Sequence, residues 1–101
     1  MNPFSALAKD LNQKFNVNQE RSEREILYKQ VIKVQEEVGE LAEAVLGDNG
    51  DLFNMKKEYG DVAKELADVM LVLYILADLK GIDLDETMSK KDIELRKRFE
   101  L

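Results

Sequence analysis

Glu65-Leu66-Ala67-Asp68-Val69-Met70-Leu71-Val72-Leu73-Tyr74-Ile75-Leu76-Ala77-Asp78-Leu79 is the stretch that decides the fold. Turned at about 100° per residue, it carries two stripes. Tyr59, Val62, Leu66, Val69, Met70, Leu73, Leu76 and Ala77 form the first, which reads as a core face. Asp61, Glu65, Asp68, Val72, Ile75 and Leu79 form the second, acidic in its upper half and apolar in its lower half. A helix apolar on nearly all sides over 69–79 is expected to be buried on nearly all sides. In a chain of 101 residues, that points to a second subunit over the second stripe, with Glu65 and Asp68 at the mouth of the interface.

The rest of the chain reads as helix almost throughout. The spacing predicts this helix over about 56–79, ended by Gly81, with Lys80 complementing the negative end of its dipole. Ile82-Asp83-Leu84-Asp85 opens a last helix to about residue 98, capped by Asp83 or Asp85. Upstream, Ser22-Glu23-Arg24-Glu25 is a capping-box pattern, and the helix it starts is expected to reach about residue 46. The apolar stripe of that helix is Val31, Val34, Val38, Leu41, Ala42 and Val45. Gly47-Asp48-Asn49-Gly50-Asp51 breaks it; lacking the later Glu of a calcium loop, it reads as an acidic turn. Pro3 suits the first turn of a short helix over 3–15, with Phe4, Leu7, Ala8, Leu11 and Phe15 as its stripe, and Asn16-Val17-Asn18-Gln19 as a linker. No segment alternates with period two over a useful length. The expectation is a single all-α domain over 1–101, an antiparallel bundle of four to five helices completed by oligomerisation.

Composition narrows the chemistry. The chain has no histidine and no cysteine, which removes disulfides, thiolate sites and the usual zinc sites. A formal charge of −6 disfavours coating DNA or RNA, which rests on Lys and Arg neutralising phosphates. No apolar run approaches the ~20 residues needed to span a bilayer. The start, Met1-Asn2-Pro3-Phe4-Ser5, lacks the features of a signal peptide, so a cytoplasmic location is expected.

Two acidic pairs stand beside apolar residues: Glu37 with Glu40, and Glu65 with Asp68. Carboxylates pressed toward a core lose water and repel, and each needs a partner. With only oxygen donors on offer, a hard divalent cation such as magnesium, manganese or calcium is the natural one. Glu37 flanks the stripe of its helix, Glu40 lies one step further round, and Glu36 and Glu43 project to solvent. Acidic pairs at this spacing are also common on solvated helix faces, and Lys33 and Lys64 are placed to neutralise some of them. An internal echo, Glu58-Tyr59-Gly60-Asp61-Val62-Ala63 against Glu37-Val38-Gly39-Glu40-Leu41-Ala42, leaves open which acidic pair on the third helix functions.

Over about residues 30–99 the chain resembles the MazG-like, all-α nucleoside triphosphate pyrophosphohydrolase superfamily. The resemblance lies in Glu36-Glu37-Val38-Gly39-Glu40 on one helix and Glu65-Leu66-Ala67-Asp68 on the next, then Leu76-Ala77 and Gly81-Ile82-Asp83-Leu84-Asp85-Glu86. It implies that Glu37, Glu40, Glu65 and Asp68 hold Mg²⁺, with Mn²⁺ as a substitute, and favours Glu65/Asp68 over Glu58/Asp61. Asp61 becomes an outer-shell candidate and Glu36 a weaker ligand. In Lys90-Lys91-Asp92-Ile93-Glu94-Leu95-Arg96-Lys97-Arg98-Phe99 it implies that Lys91 and Arg98, seven apart on one face, meet substrate phosphates, with Arg96 behind them. Leu95 replaces an asparagine frequent in the dCTP-pyrophosphatase branch, and that branch's N-terminal base-holding residues have no evident match.

The implied reaction is Mg²⁺-dependent hydrolysis of a nucleoside or deoxynucleoside triphosphate to monophosphate and pyrophosphate, as in nucleotide-pool sanitation. Glu37 is the first choice to assist water deprotonation, then Glu40. The resemblance supports a homodimer or a dimer of dimers, with no nucleic-acid polymer or membrane as partner. The competing reading is a non-enzymatic dimerisation or adaptor protein with a solvated acidic face. Of the aromatic residues Phe4, Phe15, Tyr28, Phe53, Tyr59 and Tyr74, core packing is the expected role.

Overall fold

The computed structural model describes residues 2–16, 21–48 and 61–101. Four helices follow in order: α1 (Pro3–Asn16), α2 (Glu23–Asp48), α3 (Val62–Leu79) and α4 (Leu84–Arg98). Among the described residues there is no strand, and the fold is all-α. No helix among them is long and apolar enough to cross a membrane. The loop around Asn49–Asp51, Phe53, Glu58 and Tyr59 lies outside the described residues, as do 17–19 of the first linker.

Side chains cap each helix start. Asn2 Oδ1 accepts from Phe4 N at 2.9 Å and Ser5 N at 3.0 Å, ahead of Pro3, whose missing N–H costs nothing in a first turn. Ser22 Oγ accepts from Glu25 N at 3.2 Å, as the capping-box pattern predicts. Asp61 has an extended backbone and accepts from Ala63 N and Lys64 N. The third helix therefore starts at Val62, later than its expected start near 56, because an Asp at this position offers the free N–H groups a better partner than another helical turn. Of the two candidate caps of α4, Asp83 takes the role, accepting from Glu86 N at 3.0 Å. Gly81, at φ +66°, closes α3 in a Schellman turn, with Gly81 N donating to Asp78 O and Ile82 N to Ala77 O.

α3 is the central helix, packed against α2 on one side and α1 on another. Gln30 Nε2 donates to the Val72 carbonyl at 3.0 Å, while a Glu37 carboxylate oxygen lies close to one of Glu65. Moving up α2 thus means moving down α3, so the two are antiparallel. Their seam is Gln30, Val34, Glu37, Leu41 and Ala44 facing Glu65, Asp68, Val72, Ile75 and Leu79, all buried or half-buried. α1 joins through Asn12, whose Nδ2 reaches Ile75 O at 3.2 Å and Asp78 Oδ2 at 2.8 Å. α4 packs along none of the other three. It is held at its first turn, where Asp85 accepts from Asn2 N and Nδ2 and from Ser5 Oγ.

This seam corrects the expected burial pattern. The mixed acidic and apolar stripe of α3, expected to wait for a second subunit, faces α2. The stripe expected to be core is left half open: Leu66 is 50% and Met70 52% exposed, and Leu73 is exposed as well. On α2, Val31, Val38 and Val45 are exposed too. A wheel apolar all round cannot say which faces its own chain covers, and here α2 and α1 cover two sides of α3 and leave a third open. Among the described residues no large side chain is fully buried, and the buried apolar residues are Ala8, Ala44, Val72 and Ala77. The radius of gyration, 16.7 Å, exceeds the ~13 Å of a closed 100-residue domain.

Candidate metal centre

The antiparallel seam places its carboxylates in one layer. Glu37 on α2 and Glu65 and Asp68 on α3 each offer an oxygen within 4.8 Å of the others. Glu37 and Glu65 are buried, at 8% exposure each, and Asp68 is half-buried. Glu37 Oε2 and Glu65 Oε2 have no hydrogen-bond partner. Buried acceptors without donors are costly, about 1–3 kcal/mol each and more when charged.

A hard cation answers that cost. At about 2.0–2.6 Å per oxygen, opposite ligands of Mg²⁺ or Ca²⁺ stand about 4.0–5.2 Å apart. The three oxygens lie within 4.8 Å of one another, inside the reach of one ion, and with no histidine or cysteine in the chain the donors are all oxygen. The residues present fit a divalent cation.

Glu40 lies outside the trio of converging oxygens but next to it. Its pKa is raised above the usual 4.5, first by the charge of Glu37, then by desolvation, by a hydrogen bond with Glu37 and by the charge of Glu65. Protonated Glu40 therefore favours the folded chain; that contribution is present below 4.5 and is lost as pH rises through the raised value. A divalent cation removes the same repulsion, so protons and metal compete. The metal-induced rise in melting temperature is expected to be largest at neutral pH and to shrink as pH falls into the range where Glu40 binds its proton. Melting curves with and without Mg²⁺ across that range measure it; a metal effect that grows in acid would refute the competition.

Two lysines flank the carboxylates. Lys33 Nζ lies 3.2 Å from Glu37 Oε1 and 3.5 Å from Glu36 Oε2, and Lys64 Nζ lies 3.5 Å from Asp68 Oδ2. Hydrogen bonding and charge from Glu37 raise the Lys33 pKa, and the charge of Asp68 raises that of Lys64. Both ammonium groups therefore stay charged through neutral pH. Glu36 is exposed, as its position on the wheel predicts, and holds only the Lys33 contact. Asp61, the outer-shell candidate, spends Oδ1 on the cap of α3.

Lys91 and Arg98 are exposed on α4 and find partners there: Lys91 Nζ is 3.5 Å from Glu94 Oε1, and the Arg98 guanidinium lies 5.3 Å over the Phe99 ring. Arg96 pairs with Asp92 at 2.8 Å. α4 leaves from the end of α3 remote from Glu65, about 21 Å along the axis at about 1.5 Å per residue, and does not pack back along it. The single chain brings these cations to their own helix, not to the trio.

A groove of about 750 Å³, bounded by α1, α2 and the end of α3, extends toward the centre as far as Lys33 and Glu36. Phe15 and Tyr28, both exposed, stand in its walls, with Lys29, Lys33 and Glu36 along the α2 rim. Core packing was the expected role of these aromatics; Phe4, Phe15 and Tyr28 are exposed instead, and Tyr74 is half-buried with its hydroxyl accepting from Asn2 Nδ2. The spacing of Lys29, Lys33 and Glu36 at four and three was the signal for this rim.

The family model described as Phosphoribosyl-ATP pyrophosphohydrolase matches residues 4–92, most of the chain. No curated protein and no solved structure matches it.

Proposed function

The chain belongs to the phosphoribosyl-ATP pyrophosphohydrolase family, within the MazG-like all-α NTP pyrophosphohydrolases, and from that premise we propose that it hydrolyses phosphoribosyl-ATP to phosphoribosyl-AMP and pyrophosphate. Membership makes it a pyrophosphohydrolase acting on an acid anhydride, and the adaptor reading falls away. It also moves the preferred substrate from a generic nucleoside triphosphate, as in pool sanitation, to a substituted ATP. The observation that carries the catalytic reading is the pair of buried, unpartnered oxygens on Glu37 and Glu65, converging with Asp68.

Glu37, Glu65 and Asp68 would hold Mg²⁺, with Glu40 at the rim. The ion, when bound, neutralises phosphate charge and lowers the pKa of the attacking water. Water adds at the α-phosphorus, the α–β bridging bond breaks, and pyrophosphate leaves. Glu37 was the first choice for the base, but it is buried against Lys33. Glu40, exposed beside it and outside the trio, has its carboxylate open to take the proton of the attacking water. Lys91 and Arg98 would reach the phosphates through α4 of a neighbouring subunit.

A second copy also has a face to cover. On an antiparallel pair, stepping one residue past the seam on either helix leads to the same side. Val31, Val38 and Val45 of α2 therefore share a face with Leu66 and Leu73 of α3, with Met70 one turn on from Leu66 at its outer edge, and all six are exposed. The groove and Glu40 lie one step before the seam, on the opposite side. We place a homodimer contact on the apolar face, which leaves the site open.

Pyrophosphate release, measured with phosphoribosyl-ATP and with a panel of (deoxy)nucleoside triphosphates in Mg²⁺, tests the substrate. The expected result is a clear preference for phosphoribosyl-ATP. Equal or better turnover of an unsubstituted triphosphate would reject that substrate while keeping the chemistry.

A further inference from the structure

Lys33 belongs to two features at once. Its ammonium touches Glu37 of the trio, and its side chain lines the groove that Phe15 and Tyr28 wall. Lys64 makes the corresponding contact to Asp68 from α3 but is not among the groove's lining residues. Two of the three converging carboxylates thus carry a lysine counter-ion, one from each helix. Pairs at i, i+4 are ordinary on exposed helix faces. This one differs because the Glu37 side chain is only 10% exposed and its second oxygen has no partner. Lys33 itself is half exposed, so its flexible stem has room to swing.

Resting on the metal-centre reading above, we propose that Lys33 is a displaceable counter-ion: it neutralises Glu37 while no cation is held, and is released by the cation to meet the phosphates of a nucleotide lying in the groove. The reason is charge. A divalent cation on the trio offers Glu37 two positive charges and shares them with two further carboxylates, so it outcompetes one ammonium. Once there, it repels an ammonium a few ångströms away. The anion that such a cation attracts is a triphosphate, and Lys33 already lies on the groove's rim. With Lys91 and Arg98 paired on α4, Lys33 is the cation that α2 itself supplies between groove and centre. Lys64, outside the groove, acts as a counter-ion alone.

Wild type, Lys33→Met, Lys64→Met and, as a control for net charge, Lys9→Met on α1 are titrated with Mn²⁺, followed by the electron paramagnetic resonance of the free ion. Binding of a non-hydrolysable triphosphate analogue is then measured at saturating Mn²⁺. Lys33→Met and Lys64→Met are expected to bind Mn²⁺ about two- to fivefold more tightly, the scale of losing one partly exposed ion pair. Lys9→Met is expected to match wild type. Lys33→Met alone is expected to bind the analogue about tenfold or more weakly. A Lys33→Met protein whose Mn²⁺ affinity equals that of Lys9→Met, or which keeps wild-type affinity for the analogue, overturns the proposal and leaves the metal centre standing. A wild type that binds no Mn²⁺ removes the metal centre and this inference together.

Discussion

Glu65→Gln is expected to raise the melting temperature of the metal-free protein and to abolish pyrophosphate release. Both effects come from one carboxylate. Glu65 is 8% exposed, its Oε2 has no partner, and it faces Glu37 and Asp68 across the seam. Without a cation its charge is a cost to the fold. The amide has nearly the same shape, carries no charge, and supplies a donor for the neighbouring unpartnered oxygen of Glu37. Relief of one buried unsatisfied group amounts to about 1–3 kcal/mol. For a chain of this size each kcal/mol shifts the midpoint by about 4–8 °C. Activity is expected to move the other way, because the variant would lose one of the proposed metal ligands. Removing an outer-shell partner of a metal ligand already costs about 10–100-fold, so loss of a ligand is expected to exceed about 100-fold. Added Mg²⁺ should then shift the variant's midpoint less than the wild type's. Melting curves and a pyrophosphate assay on the same preparation decide it. A Glu65→Gln protein that is active, or that melts lower without metal, would mean the carboxylate serves packing and not chemistry.

Met70→Glu is expected to convert the proposed homodimer into monomers and to lower its stability sharply. Met70 is 52% exposed on the face of α3 it shares with Leu66 and Leu73 at spacings of four and three. A fully buried side chain of this kind contributes about 1.5–3 kcal/mol, and across a two-fold contact the face would count twice. An unpaired carboxylate buried there costs several kcal/mol per copy. The large radius of gyration and the absence of any fully buried large side chain among the described residues show how little core they build within one chain. Light scattering after gel filtration should therefore give a dimer or dimer of dimers for the wild type and a monomer for the variant. The wild-type midpoint should also rise with protein concentration. Leu101→Glu, 79% exposed at the chain end and off this face, should change neither. A monomeric wild type, or an unaffected Met70→Glu assembly, would sink the shared face.

Helix content, the order of elements and three of the caps were legible because they are local. Ser22, Gly81 and Asp83 act within a turn of themselves, and local rules suffice to find them. The carboxylates that converge were legible as pairs beside apolar residues. Their division of labour was not: Glu37 turns into the seam and Glu40 to its rim, a difference of about one residue's rotation that only the packing of α2 on α3 sets. The inward face of α3 was unreadable for a related reason. A stripe of Leu66, Met70 and Leu73 and a stripe of Val72, Ile75 and Leu79 are equally apolar, and hydrophobicity does not say which one the chain's own α2 covers. Asp61 was misplaced on an uninterrupted helix because a cap and an interior acid look alike on a wheel. Lys91 and Arg98 share a helical face, as spacing requires, but spacing says nothing of where α4 points once it leaves Gly81.

The most decisive observation is Mn²⁺ binding by the wild type beside Glu37→Gln, Glu65→Gln and Asp68→Asn, read from the free ion by electron paramagnetic resonance. Saturable binding in the wild type, lost or greatly weakened in all three variants, is the expected outcome. Wild-type affinity retained in all three would show that these carboxylates hold no cation, and the hydrolytic mechanism built on them would fall.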